Sequence, residues 1–291
     1  MSAAQVAGNT MLLGPGANRA VPIASVAKVM TAYLVLRDHP LTADEAGPHI
    51  VVEPSEAAAY PAEVLVGESV VPVQAGEVLT ERQALEALLL PSADNVAWIL
   101  ARWDAGSQGV FVDRMNTVAR ELGMTSTHYT DASGLAASTT SSAADQVRLG
   151  VAAMEEPVLA GIVDEASAVI PVAGTVDNIN RLVGQDGIVG LKTGSTSAAG
   201  GCVVLAARTE TDQRQSLIVE AVFGQPGTAG TLVPAALQAG QQLLAEIERS
   251  LAALPAGSTA DDRRRSPPSS RTDRSVVRLG TGEPGGANAD A

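Results

Sequence analysis

The chain has 291 residues, of which 46% are hydrophobic and 2% aromatic. A chain of this length can bury a full core without staples, and its one cysteine, Cys202, rules out an internal disulfide and any multi-cysteine metal site. Nineteen basic residues against 32 acidic ones give a net charge of −13, which argues against duplex binding, and the scarce aromatics argue against a platform for stacked bases.

Met1 to Asn9 are small and polar with no basic stretch, so the start does not read as a signal peptide. No apolar run is long enough to cross a bilayer. The first predicted element is a short strand, Thr10-Met11-Leu12-Leu13, followed by the turn Gly14-Pro15-Gly16. Pro22-Ile23-Ala24-Ser25 then opens a run from Val26 to Arg37 that is apolar almost all the way round. That is the pattern of a helix buried at the centre of a fold. Asp38-His39-Pro40 ends it.

Ile50-Val51-Val52, Val64-Leu65-Val66 and Val70-Val71-Pro72-Val73 read as small strands and loops. Thr80 with Gln83 has the spacing of a capping box, starting a helix that runs through Leu90 and is broken by Pro91. Further helices are expected over residues 94–103 and 110–122, and residues 123–145 read as loop. After Gly187 the pattern changes to strands, at 188–191, 203–207 and 216–223. Their links are too short for crossover helices, which predicts an antiparallel meander. A last helix covers residues 232–251. Beyond it, residues 254–291 carry six arginines and five acids with no apolar face, and are expected to be a disordered tail.

The sharpest clue is that only two of the 19 basic residues are lysines, Lys28 and Lys192. Arginine cannot replace lysine where an amine must lose its proton. Lys28 follows Ser25 by three residues, which on a helix places both side chains on one face. Burial and a second cation push an amine towards neutrality, and a neutral amine can take the proton of the Ser25 hydroxyl. Ser25 also lies near free helix-start N–H groups suited to an oxyanion. Ser25 can also be read as a plain N-cap, and for Ser92 taken alone the N-cap is the favoured reading. Lys192-Thr193-Gly194 follows an apolar strand start, where Lys192 and Gly194 share one face and Gly194 allows another backbone to approach closely.

In this order the three motifs form the set shared by class A β-lactamases and penicillin-binding proteins. The chain resembles the D-alanyl-D-alanine carboxypeptidases, low-molecular-mass penicillin-binding proteins of serine peptidase family S11, of actinobacterial type. The resemblance runs from about Gly14 to Phe223. It is carried by Pro22 through Ala32, Leu88-Leu89-Leu90-Pro91-Ser92-Ala93, Thr127 through Leu135, and Gly187 through Ser195. It implies an α+β, β-lactamase/transpeptidase-like fold, an antiparallel sheet flanked by helices plus a helical subdomain. Residues 1–253 would be the catalytic domain, with its start truncated and the family's first helix and strand partly absent.

The resemblance also implies roles. Ser25 would be the nucleophile, Lys28 its base, and Ser92 a proton relay to the leaving amine. Lys192 and Thr193 would hold the substrate's terminal carboxylate, with Gly194 beside them, and the N–H groups of Ser25 and Ser195 would form the oxyanion hole. The substrate would be a peptidoglycan stem peptide ending in D-Ala-D-Ala, lying along the strand that bears Lys192; β-lactams would be covalent inhibitors. No metal or organic cofactor is implied, and the working place would be outside the membrane. The family's second motif is usually S-x-N, but Asp94 stands in the third place here and Asn95 follows. An ionised Asp94 beside Lys28 would hold that amine protonated, so Asn95 is narrowly favoured as the amide-bearing group.

Two other readings compete. A class A-like β-lactamase would need a glutamate for deacylation, and Glu155-Glu156-Pro157 lies in the right interval without resembling that loop. A non-catalytic wall-binding relative is motivated by Asp94 and the short start. The remaining polar residues read as structural. His39, His49 and His128 have no ligand spacing, Cys202 is a small buried residue, Asp131 a turn former, and Trp98 and Trp103 pack helices.

Overall fold

The computed structural model of the chain describes residues 1–6, 11–211 and 214–253. Thr10 of the first expected strand and the expected tail at 254–291 lie outside the described residues. The chain opens with β1 (Ser2–Val6), β2 (Leu12–Leu13) and β3 (Val21–Pro22), then a 3-10 turn over Ala24–Ala27 that runs into α1 (Lys28–Asp38). Next come β4 (His49–Val51), α2 (Pro54–Val66), β5 (Val78–Thr80), α3 (Glu81–Leu89), α4 (Asp94–Ala105) and α5 (Gln108–Glu121). β6 (Thr140–Ser141), α6 (Ala143–Glu155), α7 (Pro157–Val163), β7 (Ser167–Ile170) and β8 (Gly174–Asp177) follow. The last elements are β9 (Ile188–Thr196), β10 (Gly200–Thr211), β11 (Arg214–Gln225) and α8 (Leu232–Ala252).

The meander forms as expected: β9, β10 and β11 pair antiparallel in succession. They belong to a five-stranded sheet in the order β2-β1-β11-β10-β9, which leaves β9 at one edge. β1 sits inside this sheet, with Ala4 opposite Glu220. Its residues are too small for an apolar alternation to show in the sequence.

α8 covers one face of the sheet through Leu232, Ala236, Leu237, Leu243, Leu244 and Ile247, packed with Val203, Leu205 and Ile218. Fully burying a large aliphatic side chain contributes about 1.5–3 kcal/mol, so α8 is held firmly. The other face carries α1, α6 and α7, with α3, α4 and α5 beyond them. α1 is the buried central rod that its composition predicts: Lys28, Val29, Met30, Thr31, Ala32, Leu34, Val35 and Leu36 are all buried.

Some expectations are corrected. Val64-Leu65-Val66 is not a strand but the exposed end of α2. That helix starts from a capping box between Glu53 and Glu56 and stops at Gly67 in the left-handed region. Residues 70–73 form no strand. The capping box at Thr80 is present, with Thr80 accepting from the Gln83 amide and Gln83 returning the bond. The stretch 123–145 is not loop throughout, since β6 lies within it and α6 begins at Ala143, while the rest of α6, α7 and the β7–β8 hairpin fall where the sequence pattern shows no element.

Candidate active site

The site forms where the turn before α1, the α3–α4 junction, the 131–134 loop and edge strand β9 converge. Lys28 opens α1 one helical turn after Ser25, and its Nζ donates to Ser25 Oγ at 2.8 Å. The same Nζ donates to Asp94 Oδ1 at 2.6 Å and to the Ser133 carbonyl at 3.1 Å. The Lys28 and Asp94 side chains are 0% and 4% exposed. Burial pushes the Lys28 amine down from its ordinary value. The Asp94 charge and hydrogen bond pull it back up, with smaller upward pulls from Asp131 and Glu68.

Neither serine is an N-cap. Ile23 caps the 3-10 turn and Ala93 caps α4, and neither cap makes a side-chain bond. Ser92 Oγ is buried with no hydrogen-bond partner among the described residues. Ser92 itself has φ of 69°, and Ala24, just before Ser25, has φ of 48°. A side-chain-bearing residue in the left-handed region costs roughly 1–3 kcal/mol, and such strain concentrates at functional sites.

Asp94, not Asn95, meets Lys28, which corrects the preference drawn from the sequence. Adjacent helical residues point about 100° apart, so only one of the two can face the amine. Asn95 turns the other way and straps the 70s segment, donating from Nδ2 to the Val71 carbonyl at 2.8 Å and accepting from the Val71 N–H at 3.3 Å. Asp94 Oδ2 accepts from the Ser69 N–H at 3.2 Å, and the Asp94 N–H donates to the Ser69 carbonyl at 2.6 Å.

On β9, Lys192 is buried and its Nζ donates to the Thr193 carbonyl at 3.1 Å. Burial, then the neighbouring charge of Lys28, holds the Lys192 amine well below its ordinary value, against an opposing pull from Asp94. Gly194 lies against the turn that carries Ser25: a Cβ there would stand 2.9 Å from Ser25 N, 3.0 Å from Val26 N and 3.1 Å from the Ile23 carbonyl oxygen. This is the close backbone approach expected of it. Thr193 pairs with Val203, whose side chain packs under α8, so Thr193 leaves the strand on the face opposite Lys192. Ser195, half-buried, follows opposite Gly201.

The structure thus brings Ser25, Lys28 and Asp94 into direct contact, with Gly194 against the Ser25 backbone and Lys192 in electrostatic reach. Sequence reasoning gave no role to the Ser133 carbonyl, to Gly134 or to Ser69. Gly134 has φ of +82°, and a Cβ on it would stand 1.9 Å from the Ala24 carbonyl oxygen. Ser69 acts through its backbone, so its identity carries no signal. Asp131 is the turn former expected, accepting from Ser133 Oγ and from the Leu135 and Ala136 N–H groups. Cys202 is buried, its thiol pushed up to about 11 by burial. His39 stacks on Trp103 with ring centroids 4.1 Å apart. Glu155 ends α6 exposed, and Glu156 forms the joint between α6 and α7.

A five-stranded antiparallel sheet with helices on both faces, a helical subdomain, and a serine–lysine pair at the root of a buried helix define the penicillin-binding/transpeptidase class. The fold matches the Streptomyces K15 DD-transpeptidase at a TM-score of 0.72, over 84% of this chain and 94% of that one, at 23% identity. It also matches an evolved penicillin-binding protein homologue from Mycobacterium tuberculosis at a TM-score of 0.71 and 30% identity, over 89% of this chain and 93% of that one. The profile of the D-alanyl-D-alanine carboxypeptidase family, peptidase S11, matches residues 5–226, and the chain belongs to that family. Relatives include D-alanyl-D-alanine carboxypeptidase DacB2 of M. tuberculosis, 38% identical over 65% of this chain and 63% of that protein. A D-alanyl-D-alanine endopeptidase of Pseudomonas aeruginosa is 32% identical over 70% of this chain and 65% of that protein. The chain therefore spans a little under two thirds of the length of these curated relatives.

Proposed function

We propose that the chain is a serine-type D-Ala-D-Ala carboxypeptidase that trims peptidoglycan stem peptides through an acyl-enzyme on Ser25. The observation that carries this reading is the 2.8 Å contact between the fully buried Lys28 amine and Ser25 Oγ. Lys28, once neutral, takes the Ser25 proton as Oγ bonds to the carbonyl carbon between the two D-alanines. The N–H groups of Ser25 and Ser195 receive the developing oxyanion. Ser92, with its free hydroxyl, passes a proton to the departing D-alanine amine as the C–N bond breaks. Water then attacks the ester, returning the proton to Ser25 and releasing the shortened peptide.

Lys192 supplies the charge for the terminal carboxylate. Thr193, whose side chain leaves on the other face, contributes the carbonyl that fixes the Lys192 ammonium. The free edge of β9 suits a peptide added as a further strand. β-Lactams would acylate Ser25 by the same route. Such a substrate lies outside the membrane; no helix among the described residues is long and apolar enough to cross one. The exposure of Glu155 favours the peptidase over a class A-like β-lactamase, which needs a carboxylate held in the site.

The test is D-alanine release from a peptide ending in D-Ala-D-Ala, by wild type and Ser25→Ala. Release lost in the variant supports the reading; equal release by both refutes it. A cross-linked muropeptide in the same assay separates carboxypeptidase from endopeptidase.

A further inference from the structure

An ammonium has three N–H donors and no acceptor. Lys28 Nζ has three acceptors around it, Ser25 Oγ, Asp94 Oδ1 and the Ser133 carbonyl, at 2.8, 2.6 and 3.1 Å. A neutral amine has two N–H donors, and its lone pair must face the Ser25 hydroxyl for base catalysis. The three partners accommodate either form, since the Ser25 hydroxyl can also donate, and it is the Asp94 carboxylate at 2.6 Å that favours the charged one. The carboxylate cannot swing aside, because Ser69 grips Asp94 on both sides of its backbone–side-chain unit, accepting from its N–H at 2.6 Å and donating to Oδ2 at 3.2 Å. Lifting Lys28 out of its charged state would leave that carboxylate buried without its counter-ion, which is costly. An amide in the same place would offer the same acceptor with no such cost.

We propose that Asp94 is a positioning residue that holds Lys28 as an ammonium in the resting site and so sets the pH at which Ser25 can be acylated. This rests on the serine-peptidase reading above. The proton that Lys28 must lose first passes to water. Other charged groups act on the pair from each neighbouring element. Lys192 on β9 favours proton loss, while Glu68 after α2 and Asp131 in the loop oppose it. Glu63 of α2 lies within electrostatic reach of Asp94 and Glu68, which with its burial push its own carboxyl up.

The experiment is the second-order rate of labelling by a fluorescent penicillin from pH 5 to 10, for wild type and Asp94→Asn. An opposite charge at this range moves a titration by about 1–3 pH units, so the acid limb in Asp94→Asn is expected to fall by that much. Well below the wild-type midpoint, the variant should label at least about tenfold faster relative to its own plateau. An unmoved or raised midpoint overturns the proposal, as does a folded Asp94→Asn that never labels. Absence of labelling in wild type at every pH overturns the peptidase reading itself. Should Asp94→Asn not fold, Asp94→Ser removes the same charge and gives the same readout. Glu68→Gln, at the rim, should move the limb in the same direction by less; movement upward refutes the scheme.

Discussion

Gly194→Ala tests whether the strand and the turn that carries Ser25 are fitted to each other at the level of single atoms. The new Cβ would stand 2.9 Å from Ser25 N, about half an ångström inside the 3.4 Å at which ordinary contact begins. Val26 N at 3.0 Å and the Ile23 carbonyl at 3.1 Å close the other sides. All three are backbone atoms, so no rotamer change relieves the contact; strand or turn must move. Overpacking of this kind costs roughly 1–3 kcal/mol, partly offset by the up to ~1 kcal/mol that alanine gains over glycine in a regular element. A misplacement of about 1 Å can cost about a hundredfold in rate, so half that distance implies about tenfold. The expected result is a small drop in Tm and at least a tenfold slower acylation by a fluorescent penicillin. Acylation within twofold of wild type would refute the proposed role of this contact.

Gly134→Ala should be far worse for folding. Its φ is +82° and its Cβ would overlap the Ala24 carbonyl oxygen at 1.9 Å; a loss of more than about 3 kcal/mol in urea denaturation is expected. Burial pushes the carboxyls of Glu81 and Glu86 up to about 7, helped by Asp104 and Glu165 respectively. Each is raised above its unfolded value of 4.5, so its stabilising contribution is complete below pH 4.5 and lost as pH climbs through 7. The loss is on the order of 3 kcal/mol per group, so Tm should be higher at pH 5 than at pH 8, and Glu81→Gln should flatten the curve. Glu220 is buried under α8 with neither carboxyl oxygen hydrogen-bonded among the described residues, and burial followed by Glu248 holds it well above the usual carboxylate range. Glu220→Met should raise stability by about 1–3 kcal/mol at neutral pH and by more at pH 9; a lower Tm there would contradict this account of the α8 interface.

What the sequence made legible was periodicity and chemistry. Apolar residues on almost every side of Val26–Arg37 announce a buried rod, and Thr80 with Gln83 announces a helix start, because both signals are local. β1 was invisible since Ser2-Ala3-Ala4-Gln5-Val6 is a strand only by pairing with β11, a partner more than 200 residues away. Val64-Leu65-Val66 looked like a strand because β-branched residues favour one, yet helix α2 was already fixed by its capping box and by Pro54 at its first turn. The choice between Asp94 and Asn95 turned on which residue begins α4. A carboxylate beside a base reads as an electrostatic defect in the sequence, which points to Asn95, whereas the fold builds the Lys28–Asp94 pair in.

The scarcity of lysine gains its physical meaning from burial. The two lysines are 0% and 1% exposed and act on each other's charge, while the arginines Arg37, Arg82, Arg102, Arg114, Arg148 and Arg181 bind acids or carbonyls nearer the surface. A guanidinium cannot be neutralised and would leave no lone pair for Ser25. The two amines together with the carboxylate of Asp94 carry one net positive charge when both are protonated. A substrate carboxylate at Lys192 would cancel that charge and make the fully protonated site the neutral one. Binding of an anionic substrate therefore favours the unreactive form of Lys28, and the free amine must be gained against it. A substrate ending in an amide instead of a carboxylate lacks this penalty, so its acylation should reach half-maximum at a lower pH than that of the acid, however much more weakly it binds.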